Sequence, residues 1–265
     1  MSEANGPRVG RAPVDPGPSR WHLPPPPYAE DDLIAVGADL EPATILAAYA
    51  AGFFPMGVGR HGREPLGWWS PQHRGVLLPG GFHTSRSLRR TLRSFTVTFD
   101  NAFEEVVAGC ADPRRAGRWI TPQVAAAYGR LHRLGWAHSV EVWRDGRLVG
   151  GLYGLAVGGL FAGESMFHRA TDASKAALAA LTRAWFADGD PRRLVDVQWT
   201  TAHLASLGVV EIDRADYLDR LAGALAVPWT PLPEVLLPQA PWPEVTETSH
   251  LGQGGTNVSP QVPPT

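Results

Sequence analysis

Two short stretches carry polar groups that could do chemistry. Glu164 and Ser165 interrupt the apolar run Leu160–Phe167, and Asp196 and Gln198 sit in Leu194–Gln198, which reads as a strand. Side chains alternate along a strand, so Asp196 and Gln198 are expected on one face, with Val195 and Val197 on the other. A buried polar group left unpaired costs roughly 1–3 kcal/mol. Such groups on apolar elements are therefore either a satisfied core network or an active site. A carboxylate beside an amide can accept or relay a proton between reacting groups. Asp196 is then the proton acceptor, or its electrostatic driver, working through Gln198. Glu164 orients a substrate, and Ser165 and Lys175 are further positioning groups.

A second set of residues fits an anionic partner. Arg86, Arg89, Arg90 and Arg93 recur at helical spacing and give one basic stripe with no acid in the stretch to balance it. Arg114, Arg115 and Arg118 form another cluster beside Trp119. An aromatic ring among arginines is what a single-stranded nucleic-acid end stacks on. The whole chain has a net charge of −2, so any such surface is local. Every basic residue is arginine except Lys175.

These groups need elements to hold them. Asp145-Gly146 supplies the positive φ values of a tight hairpin, and Gly158-Gly159 is a second turn signal. His138–Trp143, Leu148–Gly154 and Leu160–Phe167 then form an antiparallel meander. Ala173–Phe186 is the central helix, with Leu178, Leu181 and Trp185 as its core stripe. Arg192–Gln198 returns as a strand, and short helices follow from His203 and Asp213. Upstream, Glu41-Pro42 starts a helix that buries Ile45, Leu46 and Tyr49, Ser85 starts the basic helix, and Thr121-Pro122 starts a third. The order reads as α+β: a small N-terminal domain over 21–81, ending at Gly80-Gly81, and a larger domain over 82–237. Residues 1–20 and 238–265 are rich in Pro and Gly and are expected to be disordered tails.

Composition excludes several classes. The single cysteine, Cys110, allows no internal disulfide, and no histidine spacing suggests a metal site. There is no GxxxxGK[ST] loop and no GxSxG elbow. No apolar run is long enough to span a membrane, and the N-terminus lacks the apolar centre of a signal peptide, so a cytoplasmic protein is expected. The order of strands and helices also fits a GNAT-like acyltransferase fold, which usually takes coenzyme A, whose pyrophosphate needs a glycine-rich approach to a helix N-terminus. Phe167–Ala173 has no glycine and carries Asp172. An acyl donor with a different handle removes the conflict.

The blocks GGLYGLAVGGLFAGESMF, ASKAAL, DVQ and HLASLG, preceded in order by LIAVGADL, GFFPMG, WWSP, HTSRSLRR and RWITP, resemble the leucyl/phenylalanyl-tRNA–protein transferases over about residues 21–233. The resemblance implies a GNAT-like acyltransferase fold for the C-terminal domain. It implies transfer of Leu or Phe, less often Met, from aminoacyl-tRNA to proteins with an N-terminal Arg or Lys, marking them for N-degron proteolysis. Neither cofactor nor metal is implied. Matching positions place Leu152, Phe161, Leu178, Leu181 and Trp185 at the amino-acid pocket, and Trp119 and Met56 against the 3′ adenosine. Arg86, Arg89, Arg90 and Arg93 fall on the tRNA stem. Met56 stands where the family has an aromatic ring, Trp185 is larger than the usual occupant, and Thr201 stands where the family usually has Asn. A non-catalytic binder of tRNA or peptide ends on the same fold is the competing class.

Overall fold

The computed structural model describes residues 12–23, 26, 31–115, 117–233 and 235–236. The expected tails before residue 12 and after 237 lie outside the described residues. Residues 12–20, expected to be disordered, are placed. The Val14 amide donates to the Leu134 carbonyl at 2.8 Å, and Trp136 Nε1 donates to the Val14 carbonyl at 2.8 Å. Tertiary hydrogen bonds outweigh the local composition there.

The N-terminal part is a three-stranded antiparallel sheet with one helix. It comprises β1 (Leu33–Val36), α1 (Pro42–Ala50), β2 (Phe54–Gly59), a 3-10 turn (Arg60–Gly62) and β3 (Arg63–Trp69), in strand order β1-β3-β2. Pro42 opens α1, where a missing N–H costs nothing.

The rest follows as β4 (His73–Leu77), α2 (Arg86–Leu92), β5 (Thr96–Phe99), α3 (Phe103–Cys110), α4 (Pro122–Leu134), β6 (Ala137–Arg144), β7 (Arg147–Val157), β8 (Leu160–His168), α5 (Ala173–Trp185), β9 (Leu194–Gln198), α6 (Ala202–Ala205), β10 (Val210–Asp213), α7 (Arg214–Leu225) and β11 (Val235–Leu236). The strands form one eight-stranded sheet in the order β10-β4-β9-β8-β7-β6-β5-β11. The α+β reading holds. The large sheet, however, begins at β4, ahead of Gly80-Gly81, because β4 pairs with β9 and β10 from far along the chain.

Local signals explain most of these boundaries. Asp145 and Gly146 have φ values of 51° and 70° between β6 and β7. Ser85 Oγ accepts from the Leu88 amide at 3.1 Å, and Thr121 Oγ1 from the Val124 amide at 3.3 Å, capping α2 and α4. Gly135, at φ 85°, ends α4. Thr201 caps α6 through the Leu204 amide at 3.2 Å. Among the described residues no helix is long and apolar enough to cross a membrane.

Two cores cover the sheet's two faces. On one face α5 and α2 bury Leu178, Leu181 and Leu88 against Leu152, Phe161 and Val195. Each leucine so buried contributes roughly 1.5–3 kcal/mol. Close approach there depends on Gly150, where an added Cβ would lie 2.6 Å from the Ala173 Cβ. On the other face α1, α3 and α4 bury Tyr49, Phe103, Val106, Tyr128 and Leu131 against Tyr153, Ala162 and Phe167. Beside them α7 packs Tyr217 and Leu221 on Val76, Leu160 and Leu194.

Candidate active site

The strands β8 and β9 run parallel, and their register is Leu160 with Leu194, Phe161 with Val195, and Ala162 with Asp196. Pairing stops there, although β8 continues to His168. Two residues beyond the last pair stand Glu164 on one strand and Gln198 on the other. The register of β8 on β7 goes from Tyr153 with Ser165 to Gly154 with Gly163, which leaves Glu164 as the extra residue of a β-bulge. A bulge re-aims a side chain and ends regular pairing. It turns Glu164 into the core formed by α1 and α4, where the Tyr49 hydroxyl donates to Glu164 Oε1 and lies 2.9 Å from the Tyr128 hydroxyl.

Glu164 is buried, and burial pushes its carboxyl up to about 7. The hydrogen bonds from Tyr49 and Tyr128 pull the other way. The nearby Asp196 charge adds to the rise and Arg74 subtracts from it. Desolvation dominates, because the tyrosines are neutral donors and Arg74 is already paired. The result is a carboxyl that changes charge near neutral pH. The hydroxyl of Tyr153 is buried close by, with no hydrogen-bond partner among the described residues.

Asp196 has a different surrounding. Arg74 grips it with both arms of the fork: Nε to Oδ1 at 2.9 Å and Nη2 to Oδ2 at 2.6 Å. The Tyr217 hydroxyl donates to Oδ2 at 2.9 Å, and the Gln198 amide to Oδ1 at 2.8 Å. Both charged residues are fully buried. Arg74 also stacks on Tyr217 and Phe54, with centroid distances of 4.4 and 4.8 Å. A carboxylate has about four acceptor positions. All four are occupied by these donors.

Nor do Asp196 and Gln198 meet as strand alternation predicts. Gln198 has φ 61°, which breaks the alternation, and the two are joined through the Gln198 backbone amide. The side-chain Nε2 of Gln198 is buried and unpartnered among the described residues, so it is free to donate elsewhere.

The apolar pocket candidates are brought together, but on the far face. Leu152, Phe161, Leu178, Leu181 and Trp185 are all buried in the core beneath α5. The rings of Phe161 and Trp185 meet edge to face at 5.5 Å, and Trp185 Nε1 donates to the Gly159 carbonyl at 3.1 Å. Asp196 and Glu164 project to the opposite face, so the two sets can meet only where β8 and β9 part.

The basic stripe is brought together as read. Arg86, Arg89, Arg90 and Arg93 line one cleft of about 1260 Å³, with Lys175 and Ser206 on its other wall. Lys175 is held by Asp172 at 2.8 Å. In the second arginine cluster Arg114 is exposed and Arg115 is half-buried. Arg114 pairs with Asp112 at 2.7 Å. Arg115 donates to the carbonyls of Cys110 at 2.7 Å and Met166 at 2.6 Å, clamping the loop after α3 onto β8. Trp119 is half-buried, and Gly62 approaches it so closely that a Cβ would lie 2.1 Å from the Trp119 carbonyl oxygen. That contact seats the β2–β3 hairpin, which carries the half-buried Met56, against the Trp119 loop.

Sequence reading missed Arg74, Tyr217, Tyr49 and Tyr128 as parts of the site. Tyr49 read as plain core. Only Arg74 left a signal, a lone arginine in β4, ahead of Val76 and Leu77.

The family model described as leucyl/phenylalanyl-tRNA protein transferase matches residues 76–222, and the model for that transferase's N-terminal domain matches residues 38–72. The chain belongs to the leucyl/phenylalanyl-tRNA–protein transferase family. A member of that family from Chromohalobacter salexigens is 53% identical over 84% of this chain and 86% of its own length. Others from Aromatoleum aromaticum, at 52% over 72% and 81%, and from Salmonella paratyphi A, at 48% over 75% and 86%, are similar. Among solved structures, a GCN5-related N-acetyltransferase from Kribbella flavida is 14% identical, with a TM-score of 0.33 over 64% of this chain and 60% of that one. At that level the likeness supports no argument. Glu164 and Asp196 both lie within the matched span.

Proposed function

We propose that this transferase moves Leu or Phe, less often Met, from aminoacyl-tRNA to the α-amine of a protein that begins with Arg or Lys. The product then carries an N-terminal residue that directs cytoplasmic proteolysis. The observation that carries this reading is the family match over residues 76–222, a span that includes Glu164 and Gln198 just past the last β8–β9 pair. An aminoacyl ester is already activated, so the protein must position two substrates and move a proton.

Glu164 takes the amine's proton as the nitrogen attacks the ester carbonyl. It returns that proton to the ribose 3′ oxygen as the carbon–oxygen bond breaks. Asp196, with every acceptor position filled, is a fixed anion that holds the Gln198 backbone. Gln198 Nε2 is the donor with a hydrogen bond to give, either to the carbonyl oxygen or to the acceptor. The aminoacyl side chain enters where the strands part and rests on the Leu152, Phe161, Leu178, Leu181 and Trp185 core.

Purified protein, labelled Leu-tRNA and an Arg-starting peptide should give labelled peptide without ATP. Binding without transfer would instead support a non-catalytic adaptor.

The donor groups separate by assay. Trp119, with Met56 beside it in place of a ring, stacks on the terminal adenine. Trp119→Ala should raise the KM for aminoacyl-adenosine roughly 5- to 150-fold, the range of one lost base–aromatic stack. Arg89→Ala and Arg90→Ala should raise the KM for whole aminoacyl-tRNA and flatten its salt dependence, because each removes a phosphate contact. They should leave the aminoacyl-adenosine reaction unchanged. An equal effect on both donors would remove Arg89 and Arg90 from the tRNA surface.

A further inference from the structure

Among the described residues two large aromatic rings are well exposed, Trp21 and Trp199. Trp199 is 37% exposed and directly follows Gln198. The left-handed backbone at Gln198 turns the chain out of β9 and puts the next side chain on the rim. Consecutive Cα atoms are about 3.8 Å apart, so the Trp199 backbone adjoins that of Gln198.

The ring is fixed rather than loose. Phe54 meets it edge to face at 4.9 Å and 89°, and Trp69 at 6.0 Å and 71°. Its Nε1 points at Asp32 Oδ2 at 3.5 Å. Asp32 is itself anchored, since Oδ1 accepts from the Gln72 amide at 2.9 Å and its carbonyl accepts from the Ser70 amide at 2.8 Å. Arg214, tied to the Asp31 carbonyl at 2.8 Å, also feels the Asp32 charge.

An exposed indole face can take a base or a cation. The carboxylate at its edge decides between them. It attracts a guanidinium or ammonium group and repels a nucleotide phosphate, and the ring's own quadrupole favours a cation on its face. We propose that Trp199 and Asp32 form the subsite for the cationic side chain of the acceptor's N-terminal residue, which places its α-amine at Gln198. The subsite rests on the reading that acceptors begin with Arg or Lys.

The test compares peptides that begin with Arg and with citrulline, its neutral isostere. The wild-type transferase should favour Arg. Trp199→Ala should raise the KM for the Arg peptide about tenfold, within the span of a cation–π contact, and shrink that preference. The kcat and the KM for Phe-tRNA should hold. Trp199→Phe, which keeps a ring, should recover most of the loss. Asp32→Asn retains the bond to the Gln72 amide and should also weaken the Arg peptide while sparing the citrulline one. It serves as the readout if Trp199→Ala melts early. A rise in the KM for aminoacyl-adenosine with an unmoved acceptor KM would show that the ring stacks on a base, overturning the subsite. So would an Arg preference untouched by both changes. Equal use of Arg and citrulline by the wild type would bring down the cationic-acceptor reading, and the subsite with it.

Discussion

Asp196→Asn should unfold the protein more readily as well as slow it. The change keeps the shape but removes the charge that Arg74 grips with two hydrogen bonds. Asn offers one acceptor oxygen where the carboxylate serves four donors. Arg74 then remains buried without its counter-charge, and breaking a buried pair in this way costs roughly 3–5 kcal/mol. Arg74→Met should cost a similar amount. The double variant Arg74→Met with Asp196→Leu should regain much of that stability, since an apolar replacement of a buried pair is often neutral or better. It should remain inactive, because Gln198 loses the carboxylate that holds its backbone. Thermal melting and transfer assays on the three proteins check this. A double variant as unstable as either single change would mean that Arg74 and Asp196 do not act as a pair.

Glu164→Gln should do the reverse: a large loss of rate with stability held or raised. Gln can still accept from Tyr49 and can donate to Tyr128. General base catalysis is worth roughly 10²–10⁴-fold, so kcat should fall by that order with little change in either KM. The stability effect follows from the carboxyl at about 7 in the fold against 4.5 in an unfolded chain. A raised carboxyl stabilises the fold fully below pH 4.5, and this contribution is lost as pH rises through 7. The wild type should therefore lose roughly 3 kcal/mol across that window from this group alone. Glu164→Gln should flatten that slope in chemical denaturation run from pH 4.5 to 8.

Local chemistry in the sequence explains what was legible. Two consecutive residues at positive φ needed Asp145-Gly146, and capping needed the hydroxyls of Ser85 and Thr121, so those boundaries are written within a few residues. The arginine stripe was readable for the same reason, because helical spacing is local. Arg74 and Asp196 stand 122 residues apart, and neither neighbourhood hints at the other. That same long-range pairing takes β4 into the large sheet and moves the start of the large sheet ahead of Gly80. Strand alternation misled where the backbone departs from a plain strand. The bulge at Glu164 and the left-handed Gln198 each change which way a side chain points. The role of Glu164 depends on Tyr49 and Tyr128, which look like ordinary core residues until α1 and α4 are packed together.

The assignment of the proton to Glu164 rather than Asp196 is tested most directly by the pH dependence of single-turnover transfer. Labelled Phe-tRNA is mixed with excess enzyme and a saturating Arg-starting peptide between pH 5.5 and 9, for wild type and Glu164→Gln. The wild-type rate should climb with an apparent pKa near 7, as Glu164 becomes able to accept a proton. In Glu164→Gln that limb should vanish, leaving a low rate that follows only the ionisation of the peptide amine. A Glu164→Gln enzyme that keeps both the limb and the wild-type rate would contradict the assignment and return the proton to another group.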